Sequence, residues 1–129
     1  MKPIAIGARG VYRIEPSPAH TASAIGNAGV HVVSTPALIG FLEDASHRAI
    51  LGCYEAGEVS VGTKVDIEHL AAAPLGQAIE ATAEVIAVQG RRVDFQVEAR
   101  QGERVVMRGR HQRAVVDLAR FLTAEKKPR

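Results

Sequence analysis

Three side chains in this sequence combine a reactive chemical type with an informative position: Thr35, Glu43 and His69. An imidazole exchanges protons near neutral pH, a carboxylate acts as a base or a nucleophile, and a hydroxyl orients either group. Glu43 follows Thr35 by eight residues, and His69 follows Glu43 by 26. These residue types favour acid–base or nucleophilic chemistry, provided that the fold brings them together.

His69 ends an alternating segment that is typical of a half-buried strand. It shares the odd-numbered positions of Val61, Val65 and Ile67, so an uninterrupted strand would point its ring toward the core. A solvated histidine would instead fall on the even positions, with the acidic residues of this segment. The alternative interpretation is a hydrogen-bonded histidine in the core or at a strand end, without a catalytic role.

Glu43 and Thr35 belong to a predicted helix. Thr35 is the expected N-cap, the proline after it suits the first helical position, and Gly52 favours the helix end. Glu43 falls at the border of the apolar face, where partial desolvation would suit a base or a nucleophile. The alternative is a surface glutamate paired with His47 one turn further on. A hydroxyl at the helix N-terminus also lies beside free amides that favour developing negative charge.

The other predicted elements are mostly strands. Short extended segments are expected at 11–14 and 30–33, with a loop or lid over 21–29 between them. After the helix, alternating apolar and polar residues predict four successive strands, at 59–67, 79–87, 93–99 and 104–116, and a short helix at 117–124. One long helix followed by an antiparallel meander is an α+β pattern. It resembles the hotdog fold, a curved antiparallel β-sheet wrapped around one long central helix.

Composition indicates one globular domain over residues 1–129. Hydrophobic residues make up 47% and aromatic residues 4%, so we expect an aliphatic core. No apolar run is long enough to span a membrane, and the first residues lack the apolar stretch of a signal peptide, which favours a cytoplasmic location. Cys53 is the only cysteine, and the other histidines show no metal-ligand spacing. We therefore expect neither a disulfide nor a metal site.

Charge is distributed unevenly along the chain. Residues 1–90 hold five Lys or Arg against nine Asp or Glu, whereas residues 91–129 hold 11 against five. A basic final third indicates an anionic partner, either nucleic acid or a phosphorylated small molecule. Nucleic acid is disfavoured because Phe95 and Phe121 are the only aromatic residues available there for stacking on bases.

Three segments resemble one family. They are STPALIGFLE at 34–43, VGTKVDIEH at 61–69 and AAAPLG at 71–76. In order and spacing they are similar to the fluoroacetyl-CoA thioesterase-like branch of the hotdog-fold acyl-CoA thioesterases, which places Thr, Glu, Gly and His at the corresponding positions. The resemblance extends over about residues 30–116.

The resemblance implies hydrolysis of the thioester of an acyl-CoA. His69 would be the general base and acid, Glu43 the nucleophile or the activator of water, and Thr35 the residue that orients Glu43 or the water. Gly62 would let the acyl group approach the backbone closely. Specialised members carry aromatic lid residues ahead of the helix, whereas 25–30 has none here, so we expect a small or medium acyl group other than fluoroacetyl.

The resemblance also suggests partners. Outward-facing arginines, namely Arg92, Arg108 and Arg110, would bind the phosphates of coenzyme A, although a solvated sheet face gives the same pattern. Coenzyme A is then part of the substrate, and no separate cofactor is expected. The family pairs protomers edge to edge, which implies a homodimer or a dimer of dimers, and exposed sheet edges favour the same arrangement.

Two other functions fit the same residues. One is a non-catalytic module that binds or senses acyl-CoA with the same fold. The other is a hotdog enoyl-CoA hydratase. The first predicts binding without turnover, and the second predicts loss of the enoyl absorbance without release of a thiol.

Overall fold

A computed structural model describes residues 1–125, and residues 126–129, the end of the predicted single domain, lie outside the described part. The strands and helices are β1 (Arg9–Ile14), α1 (Thr35–Ile50), β2 (Glu58–His69), β3 (Ile79–Gln89), β4 (Arg92–Gln101), β5 (Arg104–Asp117) and α2 (Leu118–Glu125). Single turns of 3₁₀ helix lie at Pro18–His20, Ser23–Ile25 and Leu51–Cys53. Among residues 1–125, no helix is long and apolar enough to cross a membrane.

Ser34, not Thr35, caps α1. Ser34 has an extended backbone, and its Oγ accepts a hydrogen bond from the backbone N–H of Ala37 at 3.1 Å. The prediction that Thr35 is the cap is therefore wrong, because Thr35 is already the first helical residue and only the residue before it can reach back to these amides. This leaves the hydroxyl of Thr35 available for a contact outside the helix.

One apolar face of α1 packs against the inner face of the sheet. The buried apolar residues of the helix are Leu38, Phe41, Leu42, Ala45 and Ile50. The sheet contributes mainly valine and alanine side chains, so the core is aliphatic, as the composition predicts. A Cβ at Gly10 would collide with the backbone of α1, so this glycine lets β1 lie directly on the helix. The helix ends before Gly52, which lies in the following 3₁₀ turn rather than stopping α1.

The sheet has the order β1-β3-β4-β5-β2, and every neighbouring pair is antiparallel. The three consecutive strands β3, β4 and β5 form the predicted meander. However, β2 does not pair with the strand that follows it. The connection 70–78 crosses the end of the sheet and bonds to the segment before α1, so β2 lies on the far side of β5. The expectation of a four-strand meander is corrected accordingly, and β2 becomes an edge strand.

A β-bulge interrupts β2. The pairing between β2 and β5 shifts register between Gly62 and Lys64, which makes Thr63 the extra residue. Because one inserted residue reverses the alternation of side chains, the valines before the bulge lie on the opposite face from Val65 and Ile67. The single odd-numbered face expected for the whole strand is therefore wrong.

Candidate active site

The N-terminus of α1 meets the end of β2 at Thr35 and His69. Oγ1 of Thr35 and Nδ1 of His69 are 2.7 Å apart and share a hydrogen bond. His69 is opposite the buried Met107 of β5, which places it on the helix side of the sheet. It is nevertheless exposed, because β2 is an edge strand. A hydroxyl bonded to an imidazole is an arrangement for proton transfer, and we call it the Thr35–His69 pair.

The first turn of α1 adds a possible donor beside this pair. The N–H of Ala37 is bonded to the hydroxyl of Ser34, and Pro36 has no N–H. In this first turn, the backbone N–H of Thr35 is therefore left as the candidate donor to a carbonyl bound next to His69. The positive end of the helix dipole favours negative charge at the same place.

Glu43 lies two turns further along α1 and has different neighbours. Its Oε2 accepts a hydrogen bond from Nη1 of Arg113 at 3.2 Å and lies 3.9 Å from Nε2 of His111. The side chain is 41% exposed, which agrees with the predicted position at the border of the apolar face. His47 bonds to Tyr54 instead of Glu43, so the predicted alternative of a surface pair with His47 is not seen.

Gly62 makes room for this carboxylate. A Cβ at Gly62 would lie 2.7 Å from Oε2 of Glu43 and 3.1 Å from Cε1 of His111, so a larger residue would displace one of them. The space that was expected to admit an acyl group thus also holds the catalytic candidate Glu43. We call Glu43, Gly62, His111 and Arg113 the Glu43 cluster.

A buried cation, Arg113, and a neutral imidazole, His111, form the buried part of the Glu43 cluster. The side chain of Arg113 is 9% exposed and that of His111 is 2% exposed. Burial, reinforced by the charge of Arg113, lowers the pKa of His111. The neutral ring donates from Nδ1 to the carbonyl of Lys64 at 2.9 Å, so its Nε2 accepts from Nη1 of Arg113 at 3.1 Å. The cluster therefore presents one fixed positive charge to the half-exposed carboxylate.

Arg113 and His111 are not among the site residues predicted from the sequence. Both occupy odd positions of β5, which are also those of the buried Met107 and Val115. A charged residue on the buried face of a strand is rarely found there without a partner or a function. Their place among the odd, buried positions of β5 could therefore have indicated both residues from the sequence.

Within one chain, the structure brings Thr35 and His69 together but keeps Glu43 apart from them. Eight residues of α-helix separate Thr35 from Glu43 by about 12 Å along the axis. On β5, the residues opposite His69 and Gly62 are six positions apart, which is roughly 20 Å of strand. One chain therefore holds the three predicted residues in two separate groups. Within residues 1–125, no three His, Cys, Asp or Glu side chains converge as possible metal ligands.

The predicted phosphate-binding arginines lie on the outer face of the sheet. Arg108 and Arg110 line a cavity of about 500 Å³ together with Arg9, which the sequence reasoning did not single out. The cavity is also lined by Glu68, Glu84 and Glu98, so its charge is mixed. Arg92 lies at the other end of β4, with its Nε 3.7 Å from Oδ1 of Asp94. The three arginines thus do not form a single cluster.

A five-stranded antiparallel sheet with one long helix across its inner face is the hotdog architecture, and this confirms the predicted fold class. A solved thioesterase superfamily member from Thermus thermophilus shares it, with a TM-score of 0.89, 26% sequence identity and coverage of 98% of this chain and 93% of that chain. A solved fluoroacetyl-CoA thioesterase matches with a TM-score of 0.89 and 30% identity over 98% of this chain and 100% of that chain.

The sequence comparisons narrow the class to a family. The model of the fluoroacetyl-CoA-specific thioesterases matches residues 17–119. The fluoroacetyl-CoA thioesterase of Streptantibioticus cattleyicolor is 39% identical over 90 residues, which are 70% of this chain and 65% of that relative. The aligned region thus spans just under two thirds of the relative. The chain belongs to the fluoroacetyl-CoA-specific thioesterase family, as the resemblance of its three segments implied.

Proposed function

We propose that this protein hydrolyses the thioester of a small or medium acyl-CoA in a homodimer. Its active site would combine the Thr35–His69 pair of one subunit with the Glu43 cluster of the other. The observation that carries the proposal is the 2.7 Å hydrogen bond between Thr35 and His69 at the positive end of α1, in a member of a thioesterase family. This is the arrangement that proton transfer to a leaving thiolate needs.

The proposed reaction has two routes for Glu43. The carboxylate either removes a proton from water as the water oxygen attacks the thioester carbon, or attacks that carbon itself to form an anhydride that water then cleaves. In both routes the tetrahedral intermediate collapses with cleavage of the C–S bond. His69, oriented by Thr35, gives a proton to the leaving thiolate and is restored by the proton that water loses in either route, so the products are a carboxylic acid and the free thiol of coenzyme A. Arg113 holds Glu43, and no cofactor is required.

The edge position of β2 supports a dimer that completes this site. The free edge of β2 can pair with a second strand, and Val65, in the middle of β2, is 43% exposed. If two β2 strands pair antiparallel about the centre between Val65 and Asp66, His69 of one subunit faces Gly62 of the partner subunit. Because the Glu43 carboxylate lies against Gly62, this pairing would bring Glu43 of the partner subunit to the Thr35–His69 pair.

A subunit-mixing experiment tests the shared site. Glu43→Gln and His69→Ala are each expected to be inactive as homodimers. If they are unfolded together and refolded, about half of the dimers contain one subunit of each kind, and each such dimer keeps one site with both residues intact. We expect recovery of about one quarter of the wild-type activity. Absence of recovery in a sample proven to contain mixed dimers would place all three residues in one subunit.

The substrate is tested by release of free thiol from a panel of acyl-CoAs of increasing chain length, with fluoroacetyl-CoA included. The exposed segment 24–29 before α1 has no aromatic residue, which supports an acyl group other than fluoroacetyl. Binding without thiol release at every chain length would favour the non-catalytic module. Loss of enoyl absorbance without thiol release would favour the hydratase.

The coenzyme A phosphates are proposed to bind Arg108 and Arg110. Their shared cavity supports this, as does the position of Arg108 opposite Glu68, the residue next to His69. Arg108→Ala and Arg110→Ala should each raise KM by about tenfold with kcat nearly unchanged, as expected for a charge-assisted hydrogen bond. Arg92→Ala tests the third predicted arginine in the same assay. A cytoplasmic location is proposed as well, and fractionation of cells that produce the protein would test it.

A further inference from the structure

A chain of hydrogen bonds leads away from the Glu43 cluster through residues that the proposed reaction does not use. It begins at Arg113, whose Nη1 bonds to Glu43. The other two nitrogens of the guanidinium both bond to Ser60: Nε donates to Oγ at 2.8 Å, and Nη2 donates to the backbone carbonyl at 2.9 Å. Two bonds to one residue fix the plane of the guanidinium as well as its position.

Tyr54 continues the chain. Its hydroxyl lies 2.5 Å from Oγ of Ser60 and 2.9 Å from Nδ1 of His47. Because Arg113 can only donate, Oγ of Ser60 accepts from it and keeps its own proton. All bonds are satisfied when Ser60 donates to Tyr54 and Tyr54 donates to His47. Burial raises the pKa of Tyr54, which keeps this phenol protonated.

We propose that Ser60 and Tyr54 are positioning residues that hold the guanidinium of Arg113 and, through it, the carboxylate of Glu43. The proposal rests on the proposed function, since it assumes that Glu43 acts in the reaction. Without the Ser60 hydroxyl, the Nε–H of Arg113 would be buried and unpaired, which is unfavourable. The guanidinium would turn to recover a partner and would carry Glu43 out of its reactive position.

Two substitutions of Ser60 with side chains of equal shape distinguish the effect of the hydroxyl from the effect of side-chain size. Ser60→Thr keeps the hydroxyl, and Ser60→Val replaces it with a methyl group. We expect kcat to fall about tenfold in Ser60→Val with KM within twofold of wild type, because small displacements of a catalytic group reduce the rate strongly. Ser60→Thr should stay within about threefold of wild type. Any steric clash affects both variants equally, so the difference between them reports the hydrogen bonds.

Tyr54→Phe tests the second residue of the chain. It removes only the hydroxyl that bonds to Ser60, so we expect a smaller fall in kcat, of about threefold. Ser46→Ala and Tyr12→Phe are the matched controls. Ser46 is a buried serine whose hydroxyl donates to the carbonyl of Leu42 and not to a member of the cluster, and Tyr12 packs its ring on Phe41. Both controls should keep the wild-type kcat.

A measurement without substrate tests the positioning itself. In a proton–nitrogen NMR spectrum, the Nε–H signal of Arg113, assigned by its loss in Arg113→Lys, should exchange slowly with water in wild type and Ser60→Thr. It should exchange rapidly in Ser60→Val. Equal kcat and equal exchange in the Thr and Val variants would overturn the proposal. If the wild type hydrolyses no acyl-CoA, the proposed function fails, and the exchange rates alone decide whether Ser60 holds Arg113.

Discussion

The Thr35–His69 pair and the Glu43 cluster differ in how many contacts hold them. The pair depends on one hydrogen bond between two exposed residues at a sheet edge. In the cluster, a half-exposed carboxylate lies on a buried guanidinium that is itself held by buried or half-buried partners. A charge that must stay buried needs a complete set of partners within the chain, whereas a group for proton transfer at the edge can remain open to substrate and to a second subunit.

The comparison predicts that activity and stability respond differently in the two regions. His69→Ala and Glu43→Ala should each lower kcat by about 10²–10⁴-fold, the usual contribution of a positioned acid or base. Only Glu43→Ala should also lower the free energy of unfolding, by about 1 kcal/mol, because it removes a partner of the buried Arg113. The loss is limited because the carboxylate is 41% exposed.

Thiol-release kinetics and urea unfolding of the two variants measure this difference. A near-normal rate in either variant would refute its assignment to the active site. Equal stability losses in both variants would show that the two regions are held equally well, contrary to the comparison.

Gly62→Ala probes how tightly the Glu43 cluster is packed. Since the new methyl group would lie 2.7 Å from Oε2 of Glu43, the carboxylate must move, and we expect kcat to fall about 10–100-fold. Gly40→Ala is the matched control, because a Cβ at Gly40 on α1 meets nothing within 4 Å. That control should raise the free energy of unfolding by about 0.5–1 kcal/mol and leave kcat unchanged. Wild-type kcat in Gly62→Ala would mean that the Glu43 carboxylate can move aside without loss of activity, so that the cluster is not tightly packed.

Ser34→Ala and Thr35→Val separate helix capping from the Thr35–His69 pair. Ser34→Ala should lower the free energy of unfolding by about 1 kcal/mol with little effect on kcat, since it removes the cap of α1. Thr35→Val should reduce kcat by about tenfold through loss of the orienting hydrogen bond to His69, with little change in stability. Thermal unfolding and thiol release on the same samples measure both effects. The reverse pattern would return the capping role to Thr35.

The two regions also differ in how much of their structure could be predicted from the sequence. The α+β class and the ranges of α1 and of the later strands follow from the periods of apolar residues, which burial enforces locally. The core phase of β5 is visible in the same way. The Thr35–His69 pair depends on two residues at the ends of their elements, and both residues were predicted from their chemical type and position and from the family resemblance.

The other features of the fold and the site depend on contacts between distant parts of the chain, which leave no pattern in the local sequence. Thr63 becomes a bulge because β2 pairs with β5, and a single inserted residue leaves the composition of a strand unchanged. The pairing itself depends on where the connection 70–78 runs. For the same reason, the partnership of Glu43 with Arg113, two residues 70 positions apart, could not be predicted from spacing.

The smallest expected effect concerns acid sensitivity, which the comparison assigns to the Glu43 cluster. Burial lowers the pKa of His111 below its ordinary value of 6.5, so the unfolded chain binds a proton at this residue more readily than the folded chain. The free energy of unfolding should therefore decrease as the pH falls through 6.5, and continue to decrease until the folded ring titrates. His111→Gln keeps a donor for the carbonyl of Lys64 and an acceptor for Arg113 but cannot titrate. Urea unfolding from about pH 8 to about pH 5 should give a steeper decline for wild type than for His111→Gln. Parallel curves would show that the imidazole of His111 is not held neutral. The buried part of the Glu43 cluster would then be held less firmly, relative to the exposed Thr35–His69 pair, than the structure indicates.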